Sequence, residues 1–296
     1  RRTGDPAHHS HLGGGREGSM PDAKLILTDL DGTLLRNNHC TISPRTRAAL
    51  LAAKAHGVKL SICTGRCLHL MPESVLEPGL FDYAITSNGA CCVELATGKT
   101  LFSMYLSPER AALGWSILQA EDPMVEWFVN GGLLLDRHNF DRWQEKVRTP
   151  WHVAYIQAGR ATVVEDIHEY FQMGAPLLEK INVMSMTDAQ MERLAPLLAA
   201  TGEFTWPGSL GNNMEITGLE TTKATGMRQL CDMLGIPMET TVAFGDGGND
   251  AVLLAQAGVG VAMANSRPET LAAADAVTLS NEEGGVGVYI ERHVLQ

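Results

Sequence analysis

The stretch Lys24-Leu25-Ile26-Leu27-Thr28-Asp29-Leu30-Asp31-Gly32-Thr33-Leu34-Leu35 decides how this chain is read. Leu25, Ile26 and Leu27 form a short continuous apolar run, the mark of a strand buried on both faces. The run stops at Asp29, and a glycine-containing turn carries a second carboxylate, Asp31, two residues on. Alone, such a pair also fits a helix cap or a turn. Its surroundings narrow the choice.

Ser43-Pro44 opens a helical segment that Gly57 closes, with N-cap, first-turn proline and C-terminal glycine in the expected order. Residues 58–63 are a second apolar run stopping at Thr64, and 81–86 a third stopping near Asn88. The same grammar returns late in the chain. Residues 222–234 read as a helix, 241–244 as a strand, 249–257 as a helix, and 259–263 and 276–279 as short strands. Polar residues collecting at the carboxyl ends of alternating strands predict an α/β, doubly wound, Rossmann-like sheet with its ligand edge there.

The middle has a different texture. Segments 92–95 and 101–106 flank Ala96-Thr97-Gly98-Lys99, and 125–129 and 133–135 flank Asn130-Gly131-Gly132, two hairpin signals. Residues 180–186 read as a further strand, with a helix running to about 200. The expected organisation is a discontinuous core over 20–89 and 218–296, with an inserted α+β cap domain over 90–217 built on an antiparallel sheet. Residues 1–19 are Gly, His, Arg and Ser without apolar periodicity, and read as a tag or disordered leader.

The 296 residues suggest about two domains, and 45% apolar content excludes disorder as the main state. A formal charge of -11 argues against nucleic acid or anionic lipid as partner, since both need positive clusters. No apolar run approaches the ~20 residues of a membrane span, so a cytoplasmic protein acting on a small molecule is expected. Six cysteines lack the density of a disulfide scaffold and the spacing of a zinc site. They read as reduced, mostly buried thiols.

Three further elements join Asp29 and Asp31: Thr64-Gly65-Arg66, Lys223 at the start of a late helix, and Gly245-Asp246-Gly247-Gly248-Asn249-Asp250. A doubly wound sheet gathers all four on one edge. Asp29 and Asp246 offer the carboxylates a hard cation such as Mg²⁺ requires, while Thr64, Lys223 and amides freed by Gly32 and Gly65 suit phosphate oxygens. An ionised Asp29 attacks a phosphate dianion only where metal and lysine offset the repulsion. Asp31 then serves leaving oxygen and water as acid and base.

With these four motifs in order and spacing, the sequence resembles the haloacid dehalogenase (HAD) superfamily, and within it the Cof-like sugar phosphatases, over residues 24–290. The resemblance implies Asp29 as nucleophile and Asp31 as acid/base. It implies Mg²⁺ on Asp29, Asp31 (through its backbone carbonyl) and Asp246, with Asp250 in support. Phosphate binding would fall to Leu30 (backbone amide), Thr64, Gly65, Lys223 and Asn249. Ser87-Asn88-Gly89-Ala90 resembles the family's exit into a large cap. The sequence departs by having Ala224 after Lys223 and the pair Gly247-Gly248, which leaves the metal loop's geometry open.

The implied function is a Mg²⁺-dependent phosphatase acting on small phosphomonoesters, sugar phosphates or related metabolites, through an aspartyl phosphate. A phosphomutase-type phosphotransferase uses the same Asp pair, and a non-catalytic phosphometabolite-binding module keeps the same pocket. His39, His56, His69, His138, His152 and His168 read as surface or capping residues. Met184, Met186 and Met191, with Trp127, Trp143, Trp151 and Trp206, read as cap packing, with one Trp free to stack on a substrate. Arg66 reads as a salt-bridge partner, with contact to phosphate as the alternative.

Overall fold

The computed structural model describes Met20 and residues 22–174, 177–208 and 213–296. The leader over residues 1–19 lies outside the described residues. The larger sheet has eight strands. In chain order they are β1 (Leu25–Thr28), β2 (Lys59–Cys63), β3 (Tyr83–Thr86), β4 (Cys91–Glu94) and β5 (Lys99–Ser103). Those returning later are β12 (Thr241–Gly245), β13 (Val259–Ala262) and β14 (Ala276–Val277). Their spatial order is β14-β13-β12-β1-β2-β3-β4-β5, with every pair from β14 to β3 parallel.

Strand β1 lies inside this sheet and is fully buried. Ile26 packs into a cluster with α1 (Pro44–Ala55) and α10 (Gly285–His293), while Leu25 and Leu27 pack into another with α7 (Lys223–Leu234) and α8 (Ala251–Gln256). Helices therefore cover both faces, which is why the strand reads as a continuous apolar run. The Ser43 hydroxyl caps α1 by accepting from Thr46 N at 3.1 Å, and Thr222 and Thr225 form a capping box that starts α7 at Lys223.

The second sheet has six strands. They are β6 (Met124–Val129), β7 (Gly132–Asp136), β8 (Thr162–Val164), β9 (Leu178–Met184), β10 (Phe204–Thr205) and β11 (Met214–Gly218), in the order β10-β11-β9-β6-β7-β8. Asn130 and Gly131 both take positive φ (53° and 75°), making the tight hairpin between β6 and β7. Along β6 the side chains alternate. Val125, Trp127 and Val129 pack under α2 (Pro108–Leu118), α5 (Ile167–Gln172) and α6 (Asp188–Ala200), while Met124 and Phe128 face Cys67 and Leu70.

One expectation about the middle segment needs correction. The hairpin β4–β5, expected in the insert, belongs to the larger sheet, with Thr86 opposite Cys91 and Tyr83 opposite Glu94. The cause is local: Ser87, Asn88 and Gly89 all have positive φ (50°, 59° and 102°), which folds β4 straight back along β3. Sheet membership thus changes after Ser103, later than residue 90. The second sheet is antiparallel from β10 through β7. β7 and β8 run parallel, joined across α3 (Arg137–Lys146) and α4 (Pro150–Gln157).

Candidate active site

Asp29 follows β1, Thr64 follows β2, Ser87 follows β3 and Asp246 follows β12, so four adjacent strands deliver polar residues to one edge. Beyond Asp29 the chain turns tightly through Leu30–Leu34, closed by Leu35 N donating to Leu30 O at 2.9 Å. Gly32 has φ +73°, and a Cβ there would stand 2.2 Å from Asp246 Oδ2. The glycine is therefore required both by the turn and by the approach of the Asp246 loop.

Asp29 is almost buried, and Lys223 Nζ lies 3.0 Å from its Oδ1. The same ammonium donates to Asp250 Oδ1 at 2.7 Å. Asp250 Oδ2 accepts from the amides of Asp246 and Gly247, each at 3.0 Å. Both oxygens of Asp250 are thus engaged in holding Lys223 and the loop. Thr33 Oγ1 donates to Asp246 Oδ1 at 2.8 Å.

Oxygens of Asp29, Asp246 and Asp250 lie within 4.8 Å of one another. Burial, then the charge of Asp250, pushes Asp29 well above the ordinary carboxylate range, and Lys223 only partly opposes this. Burial and Asp250 likewise push Asp246 up to about 6. Burial alone would pull Lys223 down, but Asp250 and Asp29 outweigh it and hold the ammonium above its usual value. Three carboxylates facing one ammonium are short of positive charge. The donors are hard oxygens, so the cluster fits a cation such as Mg²⁺, with Asp29 and Asp246 as the carboxylates available to it.

Asp31 stands apart from that cluster. Arg66 Nε donates to its Oδ2 at 2.8 Å and Arg66 Nη2 to its Oδ1 at 2.5 Å, while His39 Nδ1 lies 2.7 Å from Oδ1. Burial would raise Asp31, but the bonds from His39 and Arg66 win and hold it low. Arg66 is itself buried, donates to Leu70 O and His39 O, and sits 3.8 Å from the centroid of the Trp151 ring.

A cavity of about 290 Å³ is lined by Asp29, Asp31, Thr64, Gly65, Asp246 and Asn249 on the side of the larger sheet. The opposite wall is Phe128, Trp151, His152, Lys180, Asn182 and Glu215. Thr64 is buried, its hydroxyl accepting from Arg66 N at 3.1 Å, and Asn249 Nδ2 donates to Asn88 Oδ1 at 3.0 Å. Leu30 is fully buried and sits between the two aspartates in sequence. A larger cavity, about 830 Å³, lies beside Lys54, Leu95 and Arg160 and contains none of the converging aspartates. Chemistry, not size, selects the smaller one.

A model of the haloacid dehalogenase-like hydrolases matches residues 26–290. The chain belongs to that family. Among HAD relatives, the phosphatase YwpJ of Bacillus subtilis is 31% identical over 92% of this chain and 100% of its own length. A second B. subtilis protein, 5-amino-6-(5-phospho-D-ribitylamino)uracil phosphatase YcsE, is 30% identical over 93% of this chain and 97% of its own. In structure, the chain superposes on a HAD-like hydrolase from B. subtilis with TM-score 0.78 and 27% identity, covering 91% of this chain and 99% of that one. As an enzyme it is a HAD-type phosphatase.

Several residues of this HAD site escaped the sequence reading. His152 is not a surface histidine but is buried beside Glu126, and the part-exposed His39 touches Asp31. Arg66 does make a salt bridge, and its partner is Asp31. Asn88 bonds both Asn249 and Glu215, and Lys180 Nζ donates to Gly65 O at 2.6 Å and Glu215 Oε2 at 2.9 Å, tying the second sheet to the first. A signal existed: Glu126 in β6 and Lys180 and Asn182 in β9 are polar residues inside largely apolar strands, the last two at alternate positions that share one face.

Proposed function

We propose that this chain is a Mg²⁺-dependent phosphatase hydrolysing small phosphomonoesters, sugar phosphates or related metabolites, through an aspartyl phosphate on Asp29. The observation that carries the reading is the Asp29–Lys223 contact at 3.0 Å beside Asp246, in a cavity that also holds Asp31. The YcsE relative, named for a phosphorylated ribityl compound, supports a small polyol-bearing substrate. Residues 104–217 would act as the cap.

Phosphate would bind against Lys223, Thr64, Asn249 and the amides of Leu30 and Gly65. Asp29 and Asp246, with the Asp31 carbonyl, would hold Mg²⁺, which when bound supplies charge neutralisation at the phosphoryl oxygens. An Asp29 oxygen attacks phosphorus, forming the acyl phosphate as the ester P–O bond breaks. Asp31 gives its proton to the departing oxygen. Arrival of a phosphate dianion nearby raises Asp31 toward the protonated form that this step needs. Asp31 then takes a proton from water, which attacks the acyl phosphate and frees phosphate and Asp29. Lys180 and Glu215 close the wall opposite and limit access of water to the first step.

Phosphate release from a panel of phosphorylated metabolites tests this reading. Asp29→Asn should abolish release, chelation should stop it, and added Mg²⁺ should restore it. Turnover that persists in Asp29→Asn would remove the nucleophile from the scheme.

A further inference from the structure

The wall of the cavity opposite Asp29 contains a buried polar row. In the register of the second sheet Glu126 faces Asn182, and Asn182 faces Glu215, so β6, β9 and β11 place three polar side chains side by side. Glu126 has no exposure at all. Its Oε2 accepts from Asn182 Nδ2 at 3.0 Å, and its Oε1 lies 2.7 Å from His152 Nε2. Those last two atoms are close yet not aligned as a hydrogen bond, and neither has another hydrogen-bond partner. His152 and Asn182 both line the cavity, whereas Glu126 stands behind them. One buried carboxylate therefore bonds one cavity-lining side chain and stands against a second.

Burying a carboxylate beside an imidazole does not serve stability, because well-packed apolar residues of similar size hold a sheet as well or better. The pairing leaves Asn182 Oδ1 and His152 Nδ1 uncommitted within the cluster. With the His152 Nε2 proton toward the Glu126 carboxylate both of these atoms are acceptors, so neighbouring hydroxyls of a polyol can donate to one each. A carbonyl or an aromatic ring leaves at least one of them unmatched.

We infer that His152 and Asn182 form a hydroxyl-reading subsite for the leaving group, with Glu126 as the positioning residue behind them, selecting phosphomonoesters of polyols and sugars over those of hydroxyl-free groups. This rests on the phosphatase reading above. His152 also stacks on Trp151 (rings 8° apart in tilt), whose face carries Arg66, so the subsite adjoins the group that grips Asp31.

The test is the selectivity ratio, kcat/KM for glucose 6-phosphate over ethyl phosphate, with Mg²⁺ present. His152→Phe and Asn182→Ala should each lower it at least tenfold. His152→Gln, which keeps an acceptor, should stay within about threefold of the parent. Glu126→Gln should lower the ratio through KM more than through kcat. The same comparison of affinities, glucose 6-phosphate against inorganic phosphate, is read by calorimetry in the Asp29→Asn protein, so it stands even where no turnover is seen. Equal losses on both ligands in all variants, or ratios within twofold of the parent, would overturn the inference. Failure of the phosphatase reading shows separately, as phosphate release that survives Asp29→Asn.

Discussion

Arg66 holds Asp31 with two nitrogens, Nε on Oδ2 at 2.8 Å and Nη2 on Oδ1 at 2.5 Å. A bidentate guanidinium fixes the plane of a carboxylate in a way an ammonium does not. The Trp151 ring on its other side makes Arg66 the link between the turn that follows β1 and the second sheet's helix α4.

Replacing Arg66 by Lys should therefore lower kcat about 10- to 100-fold while KM changes less, because Asp31 would keep a charge partner but lose its orientation. Steady-state kinetics on any accepted phosphomonoester checks this. A rise in KM at constant kcat would instead make Arg66 a substrate-binding residue.

Lys223 is fully buried between Asp29 and Asp250. Lys223→Met would leave those carboxylates without their cation, at a cost of about 3–5 kcal/mol in the metal-free protein. Denaturant unfolding measures it. Lys223→Met combined with Asp250→Asn should recover part of the loss, since one of the stranded charges is removed, while activity stays absent in both.

Metal and pH should be linked. Asp29 and Asp246 have folded-state values raised above the ordinary carboxylate value of about 3.9, Asp246 to about 6. Across that window the folded chain holds more protons than the unfolded one, so the metal-free protein loses stability as pH rises through it. Mg²⁺ should raise the melting temperature more at pH 8 than at pH 5, where protons compete for the same oxygens. Melting curves with Mg²⁺ and with chelator at the two pH values give the answer. An equal or larger shift at pH 5 would count against the site.

The core was legible because its signals are local. Leu25–Thr28 is buried on both faces and ends where chemistry begins, so one short run reports strand, layer and site edge together. The attachment of β4–β5 was not legible, since it depends on three consecutive positive φ angles at Ser87, Asn88 and Gly89, and the serine announces none. His39 and His152 acquire their roles from partners 8 residues and 26 residues away in sequence, contacts that only the folded chain creates. The far wall of the cavity was in part readable from charges at alternating positions of apolar strands, a pattern that local propensity discounts.

Asp29 should carry the phosphoryl group during turnover. Acid quench of the enzyme during turnover, followed by borohydride reduction and peptide mass spectrometry, should place homoserine at residue 29 in the parent and nowhere in Asp29→Asn. Homoserine at another aspartate, or its absence from residue 29 alongside undiminished phosphate release in Asp29→Asn, would contradict the account.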